Sequence, residues 1–502
     1  MGTDFQPMSR VGKGVFSFSI NKKHLLYSLY ILIIMVFSVL LSGLPFKFQL
    51  TLIMLIPAFL IVVLILKDPL YGVFLFFIYD YFRPYDFIPA LRPLRLSMVV
   101  ELLTLVSWLL YLKQTGKGLK WHKFGYLYLG FLAVVGVTIV TAHNNRWAFN
   151  TFQALGTYFI IFLITINRLD SIKKLNSLIW ILLLIFGYYS VKGIFNFAVV
   201  GYVSAGERTS GVVGGSFLSD ENDFALALDF MIPFAYFIFM ESSRGIKKLI
   251  CLGILLLMIL GVIASASRGG LVGLAALIVY CILMSKHKLV GFGITGFLII
   301  AAITFAPPGF FNTVSSITDT HEATAQTRIW YWEAGVRMFL DYPIVGVGAG
   351  NGPGRMPEYV RGFKDAKTQW GRTFHGTLPQ VIAETGGLGL LFYMGMFFSA
   401  VSQLWKLLKK DFGEDTGLTK PLIKATLGSL IAYIVAATFL STAYYPELWT
   451  LYIFTLILIL HSAPQNQNTQ MTENIHKYKN IAIGLFLLAN VLPIIKLGIG
   501  IY

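Results

Sequence analysis

Apolar residues gather along this chain in long runs, parted by short polar stretches that carry most of its charge. Runs longer than the roughly 18 residues needed to cross a bilayer predict membrane helices. The pattern predicts spans near 24–43, 48–66, 69–82, 96–112, 123–141, 147–166, 178–200, 223–240, 247–264, 268–285, 289–306, 386–405, 422–440, 446–462 and 480–500. The third is short, and the sixth is punctuated by polar residues. The fold class that follows is an all-α polytopic membrane protein, with about 12–15 transmembrane helices and one large, partly helical loop on one side.

Two polar stretches stand out between the spans. Residues 201–222 are rich in Gly and Ser and read as an irregular loop. Residues 307–376 open with Pro307-Pro308-Gly309, then from Arg328 to Leu340 place apolar residues at helical spacing, which predicts an amphipathic helix on or near the membrane. Asp341-Tyr342-Pro343 ends that helix, and a Gly/Pro-rich turn from Gly346 to Gly354 follows. Residues 1–502 are expected to form a single membrane domain, with loops 201–222 and 307–376 inserted and an extra C-terminal helix at 480–500. There is no fixed-period repeat and no pair of symmetric halves.

Composition agrees: 56% of residues are hydrophobic and 13% charged, which excludes an ordinary soluble domain. The net charge of +16 invites a nucleic-acid reading, which the placement of that charge then dismisses. With a cytoplasmic N-terminus, the cytoplasmic segments hold 24 Lys/Arg, among them Lys113, Lys120, Lys173, Lys174, Lys247, Lys248, Lys406, Lys409 and Lys410. The opposite side, apart from 307–376, holds nine. That asymmetry is the positive-inside rule and sets the expected orientation. The first 23 residues lack a short apolar core with an A-x-A site, so no removable signal peptide is expected. Cys251 and Cys281 both fall in predicted helices, where they offer neither a disulfide framework nor a thiolate metal site.

On the outer side thus defined, three groups are candidates for chemistry. Arg268 begins a helix in Ser265-Ala266-Ser267-Arg268-Gly269-Gly270, where a guanidinium must either snorkel or meet an anion. Arg208 lies in Gly206-Glu207-Arg208-Thr209 and could instead pair with Glu207. Two planar guanidinia match phosphate oxygens and would stabilise a diphosphate leaving group. His375, at a loop-to-helix junction, could accept a proton near neutral pH, although such a histidine is more often structural.

Other polar features have simpler accounts. Asp220-Glu221-Asn222-Asp223 suggests a divalent cation, but it sits where a helix begins, so Asp220 or Asn222 as N-cap explains it first. Gly346-Val347-Gly348-Ala349-Gly350 has no Gly-Lys-Ser/Thr ending and is no nucleotide loop. Glu101, Lys192, Asp229 and Glu384 lie in apolar helices near the outer side and suggest a polar crevice opening outward. Arg83, Arg92 and Arg95 crowd a turn interrupted by prolines, suited to lipid headgroups before a phosphate contact.

These residues resemble the O-antigen ligase and polymerase membrane proteins. The ligases of that superfamily carry His, then Asn/Ser/Gln, nine residues, Gly, two residues, and Gly/Thr/Tyr. This chain has His375, Gly376, nine residues from Thr377 to Thr385, Gly386, two residues, and Gly389, departing from the pattern at Gly376. Arg328-Ile329-Trp330-Tyr331-Trp332 through Gly346-Val347-Gly348 is similar to the family's Arg, aromatic, Pro and Gly-x-Gly segment. Ser267-Arg268-Gly269 matches its Ser-Arg helix start, and Phe217 to Ala225 resembles its Asp-x-Asn-Asp stretch. The resemblance covers residues 200–405 well and the N-terminal third loosely.

It implies an O-antigen ligase-like glycosyltransferase, inverting and metal-independent, with no cofactor. The donor would be an undecaprenyl-diphosphate-linked glycan, and the acceptor a lipid A-core sugar or a protein hydroxyl, at the periplasmic face of the bacterial inner membrane. By matching position, Arg208 and Arg268 would hold the diphosphate, Arg328 would assist, and His375 would activate the acceptor. The close alternative is a polymerase joining undecaprenyl-linked repeats, which the spacing after His375 favours less. A polysaccharide transporter should show repeated halves and ionisable residues near mid-membrane. A receptor or structural membrane protein is the remaining class.

Overall fold

A computed structural model describes residues 45–116, 118–200, 220–241, 245–285, 288–289, 291–293, 295–296, 300, 323–410 and 417–462. The expected spans 24–43 and 480–500, most of 289–306, residues 307–322 and nearly all of loop 201–222 lie outside these. By internal contacts the chain divides into two compact units, residues 1–64 and 65–502. The first is described only over 45–64, which belongs to helix α1 (Phe46–Lys67), interrupted in sequence by Pro57.

The second unit is built from helices, with no strand among the described residues. After α1 come α2 (Pro69–Phe82), α3 (Leu96–Thr115), α4 (Phe124–Thr141), α5 (Asn145–Arg168), α6 (Ile172–Val200), α7 (Glu221–Glu241), α8 (Ile246–Ser265) and α9 (Arg268–Met284). They are followed by α10 (Ala323–Asp341), α11 (Gly352–Tyr359), α12 (Thr377–Lys409), α13 (Thr419–Ala437) and α14 (Pro446–Ser462). Eight described helical stretches are long and apolar enough to cross a membrane, and three shorter ones are apolar. The protein is therefore an all-helical polytopic membrane protein.

Local chemistry sets the helix ends. Asp68 accepts a bond from the Leu70 amide at 2.8 Å and caps α2, with Pro69 at its first position. Asn144 caps α5 through the Trp147 amide, and Gly116 ends α3 in the left-handed conformation. The polar residues that punctuate the sixth expected span do not break it. Thr157 donates to Glu101 at 3.1 Å, Tyr158 to Asp80 at 2.7 Å and Thr151 to the Trp147 carbonyl, so α5 runs unbroken.

At the core lies α7, buried continuously from Phe224 to Ile238 and packed by α6, α8, α9 and α13. Inside a bilayer, helices gain little from hiding apolar surface from one another, so close packing must hold them together. The α7–α9 contact does this with small residues: a Cβ built on Gly270 would stand 2.3 Å from the Ala225 Cβ. Remote from it, Arg168 of α5 pairs with Asp68 at 2.7 Å and lies over the Tyr111 ring at 4.2 Å.

Among the described residues, the non-glycines with positive φ are Arg83 (45°), Arg95 (44°), Ala266 (50°) and His375 (49°). A left-handed L-residue costs about 1–2 kcal/mol. All four stand at helix ends that the alternating order of spans places on one end of the bundle. Strain held there by surrounding packing is a mark of function.

Candidate functional site

The site end is organised by a break in α12. Gly386 adopts φ 63°, ψ −164° and divides the helix into 377–385 and 387–409. A broken helix leaves carbonyls orphaned before the break and amides after it. The turn that follows α10 fills both sets. Val347 and Gly348 amides donate to the Ala383 and Glu384 carbonyls at 2.8 and 3.1 Å, while the Gly387 and Leu388 amides donate to Pro343 and Ile344 at 2.8 and 3.2 Å. The turn thus clips into the helix through backbone alone. The expected span 386–405 is the longer half of α12, and its first half belongs to the site.

Glu384 secures the same clip. Its two carboxylate oxygens accept the Gly350 and Gly352 amides, each at 3.1 Å. Asn351 exchanges bonds with the Asn144 backbone at 2.8 and 3.2 Å, and the Ala349 amide donates to Thr138 at 3.2 Å. With the amides of Val347 to Gly350 and Gly352 committed to protein acceptors, this glycine-rich run has no cradle left for a phosphate. Glu384, Glu101 and Asp229 are each 2% exposed or less, so these three do not line an open crevice, as the sequence had suggested. Lys192 lies over the Phe87 ring at 4.5 Å.

His375 precedes the first half of α12. Buried Phe374 packs beside Gly335 and Gly352, anchoring the chain just before it. The strained φ at His375 is held from both sides. The Trp332 indole N–H donates to its carbonyl at 3.1 Å, and the Tyr331 ring stacks on its imidazole at 5.9 Å between centroids. Tyr331 is itself fixed by its hydroxyl, which donates to Gln369 at 2.8 Å. Beyond it, Thr377 donates to the Leu440 carbonyl at 2.7 Å and Gln380 accepts the Ala443 amide at 3.2 Å, tying the start of α12 to the α13–α14 loop. Burial lowers the His375 pKa below its ordinary 6.5; Arg328 and Arg372 push it the same way, and Asp220 opposes them. The imidazole is therefore neutral at pH 7.

The departure at Gly376 has a physical cause. A Cβ there would stand 2.7 Å from the Trp332 indole nitrogen. In this chain the tryptophan fills the space that an amide or hydroxyl side chain would need, and it supplies the hydrogen bond to the neighbouring backbone.

Arg268 opens α9. Ser267 caps the helix through the Gly270 amide at 3.1 Å and donates to Asn222 at 2.7 Å, after Ala266 has turned the chain left-handed. Asp220 accepts the Asn222 and Asp223 amides at 2.8 and 3.3 Å, which makes it the α7 cap, and Asp223 accepts the Tyr445 hydroxyl at 3.0 Å. The acidic cluster is thereby used in capping and cross-links, and among the described residues no three His, Cys, Asp or Glu groups converge on a metal position. The Arg328 guanidinium lies 5.9 Å from the Phe439 ring centroid, and Phe439 also packs on Gly269. Phe439 thus joins the Arg268 helix start to the Arg328 helix, and Arg328 and Asp220 both act on His375. Arg208 lies outside the described residues.

The ends of α7, α9 and α12, with α10 beside them, thus bring a neutral histidine and two arginines into one neighbourhood of an all-helical membrane protein. Residues 253–394, from α8 into α12, match the sequence model of the family described as O-Antigen ligase. The match supports a place in the O-antigen ligase superfamily, and the matched stretch includes Arg268, Arg328, His375, Gly386 and Gly389. A comparison with curated proteins gave no match. Of the other site residues, Tyr331 and Trp332 entered the sequence reading only within the aromatic run of the motif, with no role given, and Arg372 did not enter it. The run Trp330-Tyr331-Trp332 announces an aromatic helix face, but not that it packs on His375.

Proposed function

We propose that the protein transfers a glycan from undecaprenyl diphosphate to an acceptor hydroxyl, at the outer face of the cytoplasmic membrane. The neutral His375 takes the proton of the acceptor hydroxyl, whose oxygen attacks the anomeric carbon of the donor. The bond from that carbon to the diphosphate oxygen breaks, and its electron pair leaves with the diphosphate. Arg268 and Arg328, joined by Arg208, neutralise the charge that develops there. A single displacement inverts the anomeric centre. Positive charge from arginines gives the leaving group what it needs without a metal ion.

The observation that carries this reading is His375 itself: a left-handed residue, stacked on Tyr331, kept neutral by burial and by the field of Arg328. The spacing from His375 to Gly386 and Gly389 favours a ligase over a polymerase.

Reconstitution in liposomes with a polyprenyl-diphosphate glycan tests the proposal. Separate arms contain lipid A-core, a candidate protein acceptor, and donor alone. Product on the first or second arm, with an inverted linkage by NMR, is expected. Elongated donor in the third arm alone would assign the polymerase reading instead, and no transfer in any arm would overturn both.

A further inference from the structure

The other two strained residues, Arg83 and Arg95, have no part in that chemistry. They bracket the connection between α2 and α3, in which a helical turn (Pro84–Phe87) and a 3₁₀ segment (Pro89–Leu94) follow one another. The connection walls a cavity of about 540 Å³, lined by Arg83, Arg92, Arg95, Tyr85, Asp86 and Gln153 together with apolar residues at the start of α3. That volume suits a small ligand.

Charge in this cavity is unbalanced. Asp86, its side chain 4% exposed, meets Arg83 Nε at 3.3 Å and Arg92 Nη2 at 3.7 Å. Arg83 Nε also donates to the Tyr85 hydroxyl at 2.7 Å. Arg95 has no ion pair or hydrogen bond through its side chain among the described residues, and the lining sets three guanidinia against one carboxylate, with Asp80, outside the lining, acting on Arg83 alone among them. The α3 N-terminus lies against the same space with no side-chain cap, adding the positive end of a 20-residue helix. The buried Asp86 Oδ2 is the oxygen that faces Arg83 Nε at 3.3 Å, an ion-pair contact without hydrogen-bond geometry. With no hydrogen bond made to it, that oxygen can still accept one from a hydroxyl placed beside an anion.

We propose that this cavity binds a phosphoryl group esterified to a polyol. Guanidinia take the phosphate oxygens, Asp86 takes a neighbouring hydroxyl, and Leu91, Leu96 and Met98 cover the carbon skeleton. Backbone strain at Arg83 and Arg95 is the cost of turning both arginines to the cavity. Two sources carry this chemistry at a membrane surface: a glycerophospholipid headgroup and a soluble polyol phosphate. The cavity shares α5 with the clip: Gln153 lines it, whereas Trp147 and Thr151 abut Gly354 and Gly350 of the clip segment.

The test measures binding of dihexanoyl phosphatidylglycerol, dihexanoyl phosphatidylcholine and glycerol 3-phosphate to the full-length protein in detergent. It compares wild type with Arg95→Gln and Arg92→Gln/Arg95→Gln. Wild type should prefer phosphatidylglycerol to phosphatidylcholine, and each lost guanidinium should weaken binding about tenfold. Arg95→Gln breaks no hydrogen bond or ion pair among the described residues, so it should keep the wild-type thermal midpoint and read binding alone. Loss confined to phosphatidylglycerol assigns a lipid headgroup; an equal loss for glycerol 3-phosphate assigns the soluble ester. Affinities for both polyol probes that are unchanged in the two variants, or a wild type that binds neither, would overturn the proposal.

Discussion

Replacing Gly386 with alanine tests whether the broken α12 holds the site together. At φ 63° an alanine costs about 1–2 kcal/mol. Its Cβ would also stand 2.4 Å from the Ile344 oxygen, 2.5 Å from the Ile344 carbonyl carbon and 2.6 Å from the Val345 nitrogen. All three are backbone atoms that cannot swing away, and overpacking of that kind costs about 1–3 kcal/mol. The sum is about 2–5 kcal/mol. If the clip opens instead, four backbone bonds are lost at about 0.5–1.5 kcal/mol each, a similar total. Gly387 is the control. A Cβ there meets the Pro343 oxygen at 3.3 Å, the residue is not left-handed, and alanine gains up to about 1 kcal/mol in a helix, so the change should be near neutral. Hydrogen exchange over 343–350 and 383–390, read by mass spectrometry, should show opening roughly 30- to 4000-fold more frequent in Gly386→Ala. Gly387→Ala should exchange as wild type does. Equal protection in Gly386→Ala and wild type would refute the clip.

Further outcomes follow from the same geometry. Activity should rise with pH through a midpoint below 6.5 and stay flat above it, because the lowered His375 pKa keeps the imidazole neutral into mild acid. Arg372→Gln removes a cation that disfavours imidazolium and should move the midpoint up, whereas Asp220→Asn should move it down; a pH–rate profile unmoved by either would separate His375 from the acid limb. Gly376→Asn should lower the thermal midpoint through about 1–3 kcal/mol of overpacking against Trp332, and Trp332→Phe in the same chain should restore part of it. A single variant as stable as wild type would show that the indole does not occupy that space. Arg268→Lys should slow transfer about 10- to 100-fold, since a point charge cannot reproduce the guanidinium fork; wild-type rates in saturating donor would mean that Arg268 holds no phosphate.

Much of the architecture was legible because membrane spans announce themselves by length and hydropathy, and Ser267, Asn144 and Asp220 cap helices by local rules. The acidic stretch 220–223 read correctly as a helix start for the same reason. The role of Glu384 was not legible. Its charge in an apolar helix suggested a crevice, but its partners are backbone amides more than thirty positions away in a loop, a relation that no local pattern encodes. The two motif glycines were visible as spacing. What one of them does, breaking a helix so that residues 343–348 can enter, depends on the same kind of long-range backbone pairing. Trp332 was visible as part of the aromatic run after Arg328, but its role was not, because the indole acts on a main-chain carbonyl, where side-chain identity predicts little.

The most direct measurement of the central claim is single-turnover transfer by His375→Ala, in liposomes loaded with saturating polyprenyl-diphosphate glycan and acceptor. Removing a positioned general base should cut the rate about 10²- to 10⁴-fold. Hydrogen exchange over the clip and donor binding should match wild type. A rate within threefold of wild type, in a protein so verified, would contradict the assignment of His375 as the base.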